Sequence, residues 1–134
     1  MTALADRVAV VTGASSGIGA GLAAMLADEG ARVVLAARRG EELETAAAGI
    51  RLAGGVAVPV VTDLADDASL ASLLARVRSE LCPVDVLVNN AVFGLWKPLE
   101  ATSIAEWDYT FAVNVRAAAY CVSKHALGAS HRVM

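Results

Sequence analysis

The sequence predicts an α/β fold: a parallel sheet of about four strands in the spatial order 3-2-1-4, helices on both faces, one domain over residues 1–134. Three observations predict it. Short runs rich in Val and Ala alternate with segments of helical length along the chain. The runs are apolar at nearly every position, as strands buried on both faces must be, which is the situation in a parallel sheet covered by helices. And 134 residues, 57% hydrophobic and 19% charged, describe a globular chain long enough to bury roughly two-thirds of its unfolded surface.

The elements follow in order. "RVAVVT", residues 7–12, reads as the first strand, and Gly17 to Glu29 as a helix ended by Gly30. "RVVLAA", residues 32–37, is the second strand, and Glu41 to Leu52 the second helix, with Gly54 and Gly55 behind it. "EELE" at 41–44 makes a solvated first turn, favoured by the helix dipole. "VAVPVV", residues 56–61, is the third strand; Pro59 suits an edge, where a missing N–H is tolerated. Residues 66–81 form a third helix and "VDVLVNN", 84–90, a fourth strand. Ser103 and Glu106 spell a capping box that opens a long helix through Trp107, Phe111 and Val115. Right-handed crossovers between these strands give the order 3-2-1-4.

Composition excludes several functions. A net charge of −3 offers no electrostatic case for nucleic acid or an anionic membrane. Val8 to Ala27 carries no charge over a length that could span a bilayer, but its glycines and serines break it into strand, turn and helix. The start, MTALADRVAV, has Asp6 where a signal peptide needs an apolar run, so a cytoplasmic chain is expected. Cys82 and Cys121 match no metal spacing and read as buried thiols, and no metal is expected. His125 and His131 have no ligand partners and read as exposed; Trp96 and Trp107 read as packing residues.

The strongest chemical signal is "VTGASSGIG", residues 11–19, between the first strand and the first helix. Glycines at such a turn let the backbone approach a pyrophosphate, which then sits on the helix N-terminus. At the end of the second strand the chain reads Ala36-Ala37-Arg38-Arg39. A carboxylate there would accept the ribose hydroxyl of NAD, whereas an arginine matches the 2′-phosphate of NADP. In a dinucleotide site, Arg38 would therefore favour NADP (as NADPH) over NAD. Tyr120 and Lys124 are one helical turn apart, and an ammonium beside a phenol lowers the phenol's pKa, as a proton-transfer pair requires.

Together, "TGASSGIG" at 12–19, "DL" at 63–64, "NNA" at 89–91 and Asn114 resemble the short-chain dehydrogenases/reductases in type and order. The resemblance spans about Arg7 to Asn114. It implies a Rossmann-type fold, a nicotinamide dinucleotide partner and hydride transfer with a carbonyl or alcohol substrate. By the same resemblance, Gly13, Ser15, Ser16, Gly17, Ile18 and Gly19 would lie near the phosphates, Asp63 and Leu64 at the adenine, and Asn90 and Ala91 along the ribose. "YCVSKHAL" resembles the family's Tyr-x-x-x-Lys helix, which makes Asn114, Tyr120 and Lys124 the catalytic candidates.

Two departures shape the expectation. Val92 stands where the family has glycine after "NNA". And the family places further structure and a catalytic serine between the asparagine helix and the tyrosine, whereas five residues separate Asn114 from Tyr120 here. The chain thus reads as the cofactor-binding first half of a dehydrogenase. On one regular helix those two residues face about 120° apart, and the intervening alanines favour an unbroken helix. Tyr120 and Lys124 are therefore expected to continue that helix without forming a working pair. Three functions stay open: an NADPH-dependent reductase, a cofactor-binding chain without catalysis, and a module for another nucleotide such as S-adenosylmethionine. The bare outer edge of the fourth strand, with the last helix beside it, is expected to recruit a second copy.

Overall fold

The structure, a computed structural model, describes residues 2–81 and 83–129, the side chains of 125–129 aside. The expectations for Cys82, His125 and His131 lie outside the described residues. Four strands, β1 (Val8–Thr12), β2 (Arg32–Ala37), β3 (Val56–Val61) and β4 (Val86–Val88), form one parallel sheet in the order β3-β2-β1-β4. Helices α1 (Gly17–Asp28), α2 (Gly40–Leu52) and α3 (Asp67–Leu81) provide the crossovers. α4 (Ile104–Phe111) runs through a π-helical segment, Ala112–Ala117, into α5 (Ala118–Ala129).

Alternation along the strands separates two cores. Ala9, Val11, Val33 and Leu35 face α1 and α2, where they meet Ala23, Ala27, Leu43, Ala47 and Ile50. Val8, Val10, Val34 and Val60 face the other way, onto Leu70, Leu73, Val77 and Leu81 of α3 and onto Ala117 and Cys121. Each fully buried Val or Leu contributes about 1.5–3 kcal/mol. Pro59 lies in β3, an edge strand as expected, opposite Leu35.

β4 is shorter than the sequence suggests. Three of its residues pair with β1, with Ala9 opposite Val86. Its register is fixed by Asp85, whose carboxylate accepts from Val8 N at 2.9 Å and from Arg7 Nη1 at 2.9 Å. After Val88 the chain leaves the ladder, so Asn90 lines an opening at the sheet's carboxyl end instead of extending the strand. Loop 91–98 follows, and a 3-10 turn, Leu99–Ala101, precedes α4.

The expected capping box is present: Glu106 N donates to Ser103 Oγ at 3.2 Å and Ser103 N to Glu106 Oε2 at 2.8 Å. Trp107, Phe111 and Val115 are exposed, and the buried side chains described on this helix are Ala112, Val113, Ala117 and Cys121. Trp96 is fully exposed at 101%, so it does not pack. No helix among the described residues is long and apolar enough to cross a membrane.

Candidate functional site

At the carboxyl ends of the strands the loops enclose a groove of ≈ 380 Å³. This is where open parallel sheets bind ligands, at the point where the chain turns from one side of β1 to the other. The β1–α1 loop forms its floor. At Gly17 φ is +57°, and an added Cβ would meet nothing within 4 Å. At Gly19 an added Cβ would fall 2.2 Å from Gly13 O and 2.5 Å from Asn90 Nδ2. Gly17 answers a conformational need, Gly19 a packing need.

Thr12 and Asn90 hold the floor. Thr12 is buried, and its Oγ1 accepts from Asn90 N at 3.2 Å and Ala91 N at 3.1 Å. Asn90 Nδ2 donates to Thr12 O and Gly13 O, both at 3.2 Å. Two strand ends and the glycine loop thus share one polar network. Asp63 is tied down likewise: its Oδ1 accepts from Ala65 N at 2.9 Å, and its own N–H donates to Ser69 Oγ at 2.9 Å.

The opening of α1 differs from that of α2. α2 carries Glu41 and Glu42 in its first turn. α1 has no acid there, and Ser16, the residue before it, makes no capping bond. Ser16 Oγ instead accepts from Arg39 Nη2 at 2.7 Å, which also reaches Ser15 Oγ at 3.2 Å. The free amides and positive dipole end of α1 are left facing the groove, with a guanidinium beside them. That arrangement suits an anion in charge and geometry. Arg38 reaches across the groove mouth, donating from Nη1 to the Tyr109 hydroxyl with its guanidinium carbon 5.6 Å from that ring's centroid. Tyr109 packs edge-on against Phe93, ring centroids 4.7 Å apart.

Of the expected cofactor residues, Gly13, Ser15, Ser16, Ile18, Gly19, Arg38, Asp63, Leu64, Asn90 and Ala91 all line the groove; Gly17, which opens α1, does not. Arg39, Phe93, Tyr109 and Val113 line it too and were not anticipated. Arg39 had a signal, since it directly follows Arg38. Phe93, Tyr109 and Val113 had none, because their placement depends on how the distant helix packs. Val92 also lines the groove. Its φ is not positive and its side chain is exposed, so no glycine-only backbone is needed there.

The catalytic candidates stand apart from the groove. Asn114 is half-buried and binds the loop after β4 with both ends of its amide: Oδ1 accepts from Phe93 N and Nδ2 donates to Phe93 O, each at 2.8 Å. The helix is unbroken here but not regular. Asn114 lies in the π-helical segment, whose wider turn invalidates the 120° expected of a regular helix. Tyr120 and Lys124 meet across one turn as their spacing predicts. The Lys124 ammonium lies over the ring face, 5.2 Å from its centroid, and neither residue lines the groove. Cys121, one residue on, is a free buried thiol whose pKa burial pushes up.

Known proteins supply the remaining context. The sequence model of the short chain dehydrogenase family matches residues 7–129. Cis-4-hydroxycyclohexanecarboxylate dehydrogenase of Sinomonas cyclohexanicum is 43% identical over 126 residues, which cover 93% of this chain and 50% of the relative. Gluconate 5-dehydrogenase of Gluconobacter oxydans is 37% identical, over 92% of this chain and 50% of its own length. Among solved structures, a metagenomic short-chain oxidoreductase in complex with NADP superposes with a TM-score of 0.90 at 42% identity, covering 94% of this chain and 57% of that one. L-sorbose reductase of Gluconobacter frateurii, complexed with NADPH and L-sorbose, gives 0.90 at 32% identity, covering 96% and 49%. The chain spans about half the length of the curated relatives it matches. A four-stranded sheet in this order, a glycine loop at its carboxyl end and a family match over nearly the whole sequence agree: the chain belongs to the short-chain dehydrogenase family.

Proposed function

We propose that this chain binds NADPH in the groove, in preference to NADH, as the cofactor-holding part of an oxidoreductase acting on a small carbonyl or alcohol. One observation carries the reading. Two guanidinium groups and an uncapped, acid-free helix N-terminus converge where a dinucleotide's phosphates would lie, and Ala37 stands where an NAD-specific site would carry an acid. The bound dihydronicotinamide would supply the hydride. The chain's own residues bind and orient. The α1 amides, Ser15, Ser16 and Arg39 face the phosphates; Arg38 faces the ribose 2′ position; Asp63 and Leu64 border the adenine. Asn90 keeps the glycine loop in place, and Asn114 holds the loop that closes the far wall. A cytoplasmic setting suits the buried free thiol of Cys121.

A second reading, cofactor binding without turnover, is favoured by the position of Tyr120 and Lys124 off the groove, the ammonium on the ring face. Fluorescence titration tests the first reading. NADPH should bind more tightly than NADH, and Arg38→Ala should remove about 1.5–3 kcal/mol of NADPH affinity, as expected for hydrogen bonds to a charged group. Equal affinities would refute it. Turnover with simple ketones and aldehydes separates the readings: activity abolished by Tyr120→Phe establishes catalysis by this pair, and its absence leaves binding alone. We further propose that the chain associates with a second copy of itself through the outer edge of β4 and the exposed face of α4–α5.

A further inference from the structure

We infer that Tyr109 is the positioning residue for cofactor choice: it holds Arg38 ready for the 2′-phosphate. The inference rests on the NADPH reading above. Arg38 is an exposed side chain on a loop, and a free arginine must be ordered before it can pair with a phosphate. Here it is already ordered. The Tyr109 hydroxyl accepts from Nη1, and the guanidinium lies over the ring face at 5.6 Å. The ring in turn is fixed by Phe93 at 4.7 Å, and the Phe93 backbone by both amide atoms of Asn114 at 2.8 Å. A continuous chain of contacts therefore runs from the π-helical segment to the arginine at the opposite rim.

The stoichiometry of the contact favours presentation over sequestration. A guanidinium has five N–H donors in a fixed fork, and the hydroxyl takes one. The rest remain for a phosphate, and the ring face stays attractive to the cation whether or not the phosphate is bound. Arg39 has a separate anchor on Ser15 and Ser16 and so cannot substitute for Arg38 without abandoning it.

Binding of NADPH and NADH is measured by titration to unmodified chain, Tyr109→Leu, Tyr109→Phe, Arg38→Ala and the Arg38→Ala/Tyr109→Leu double variant, each checked for folding by circular dichroism. Tyr109→Leu should weaken NADPH at least about fivefold, through loss of the cation–π contact and of Arg38 ordering, and leave NADH within about twofold. The double variant should bind NADPH no worse than Arg38→Ala alone. If Tyr109→Leu fails to fold, Tyr109→Phe decides, since it keeps both ring contacts and loses the hydroxyl: NADPH should weaken and NADH should not. Equal loss for both cofactors, tighter NADPH binding, additive effects in the double variant, or an unchanged preference would each overturn the inference. Equal affinities in the unmodified chain would overturn the cofactor reading and the inference with it; a preference that survives loss of Tyr109 overturns the inference alone.

Discussion

Gly17 and Gly19 stand two residues apart in one loop and answer to different constraints, which a pair of substitutions separates. Gly17 has a positive φ with open space beside it, so alanine there pays only the left-handed strain, about 1 kcal/mol. At Gly19 the obstruction is backbone, Gly13 O at 2.2 Å, together with the Asn90 amide that binds it. The loop must move, and the hydrogen bonds from Asn90 to Thr12 and Gly13 move with it. Gly19→Ala should therefore be destabilised by about 2–3 kcal/mol and also lose cofactor binding. Urea denaturation of both variants checks this, and the reverse order would contradict it. Cys121 offers a second residue-level test. Its buried thiol should resist alkylation at pH 8 in a Cys82→Ser background and react on unfolding. Fast labelling of the native chain would show that the α5 packing is open.

At the scale of elements, α4 is the helix whose stability should respond most clearly to acid. The Lys97 ammonium, then the Ser103 backbone and hydroxyl, hold Glu106 down to about 2 from its ordinary 4.5. A carboxylate with a lowered folded pKa contributes stability above the unfolded value, and that contribution disappears as pH falls through the folded one. Between about pH 4.5 and pH 2 the chain should thus lose stability that Glu106→Gln never had, so the two denaturation curves should converge at the acid end. Parallel curves would deny Glu106 this role. The π-helical segment is testable too. Asn114→Ala removes both bonds to Phe93 and should cost about 1–3 kcal/mol. Asn114→Asp should be no better, because its second oxygen faces the Phe93 carbonyl with no proton to donate.

These elements also mark what the sequence made legible. The strands, their order and the first three helices could be read because each run is apolar at nearly every position and each helix is bounded by glycine or by a cap. The glycine loop and Arg38 could be read because backbone approach and phosphate charge demand particular residue types locally. The π-helical turn could not. "AVNVRA" is ordinary helical sequence, and what accompanies its wider winding is a pair of hydrogen bonds to a residue 21 positions away. Tyr109 was hidden for the same reason: its partners, Arg38 and Phe93, come from other segments. The helix through Trp107, Phe111 and Val115 could be read, but the exposure of that stripe could not, because periodicity reveals an apolar face and not what covers it.

In the proposed self-association, that stripe is one of two surfaces that bear on the whole molecule. Trp107, Phe111 and Val115 recur every four residues, and Trp107 and Phe111 already touch, ring centroids 5.5 Å apart. On the sheet, β4 is an end strand, so its outer hydrogen-bonding groups meet no further strand among the described residues. An apolar helical face is solvated poorly by water and a bare strand edge offers unpaired backbone groups for pairing, and a second copy of the same chain carries complements to both. Sedimentation at tens of micromolar should therefore show dimers or larger species. The two surfaces can be separated by substitution. Phe111→Glu places a charge on the helical face without touching the sheet, since Phe111 is half exposed and outside both cores. If the helix drives association, this change should yield a folded monomer whose unfolding midpoint no longer depends on protein concentration. If association persists, the β4 edge is responsible. A monomer in the unmodified chain would show that neither surface recruits a copy.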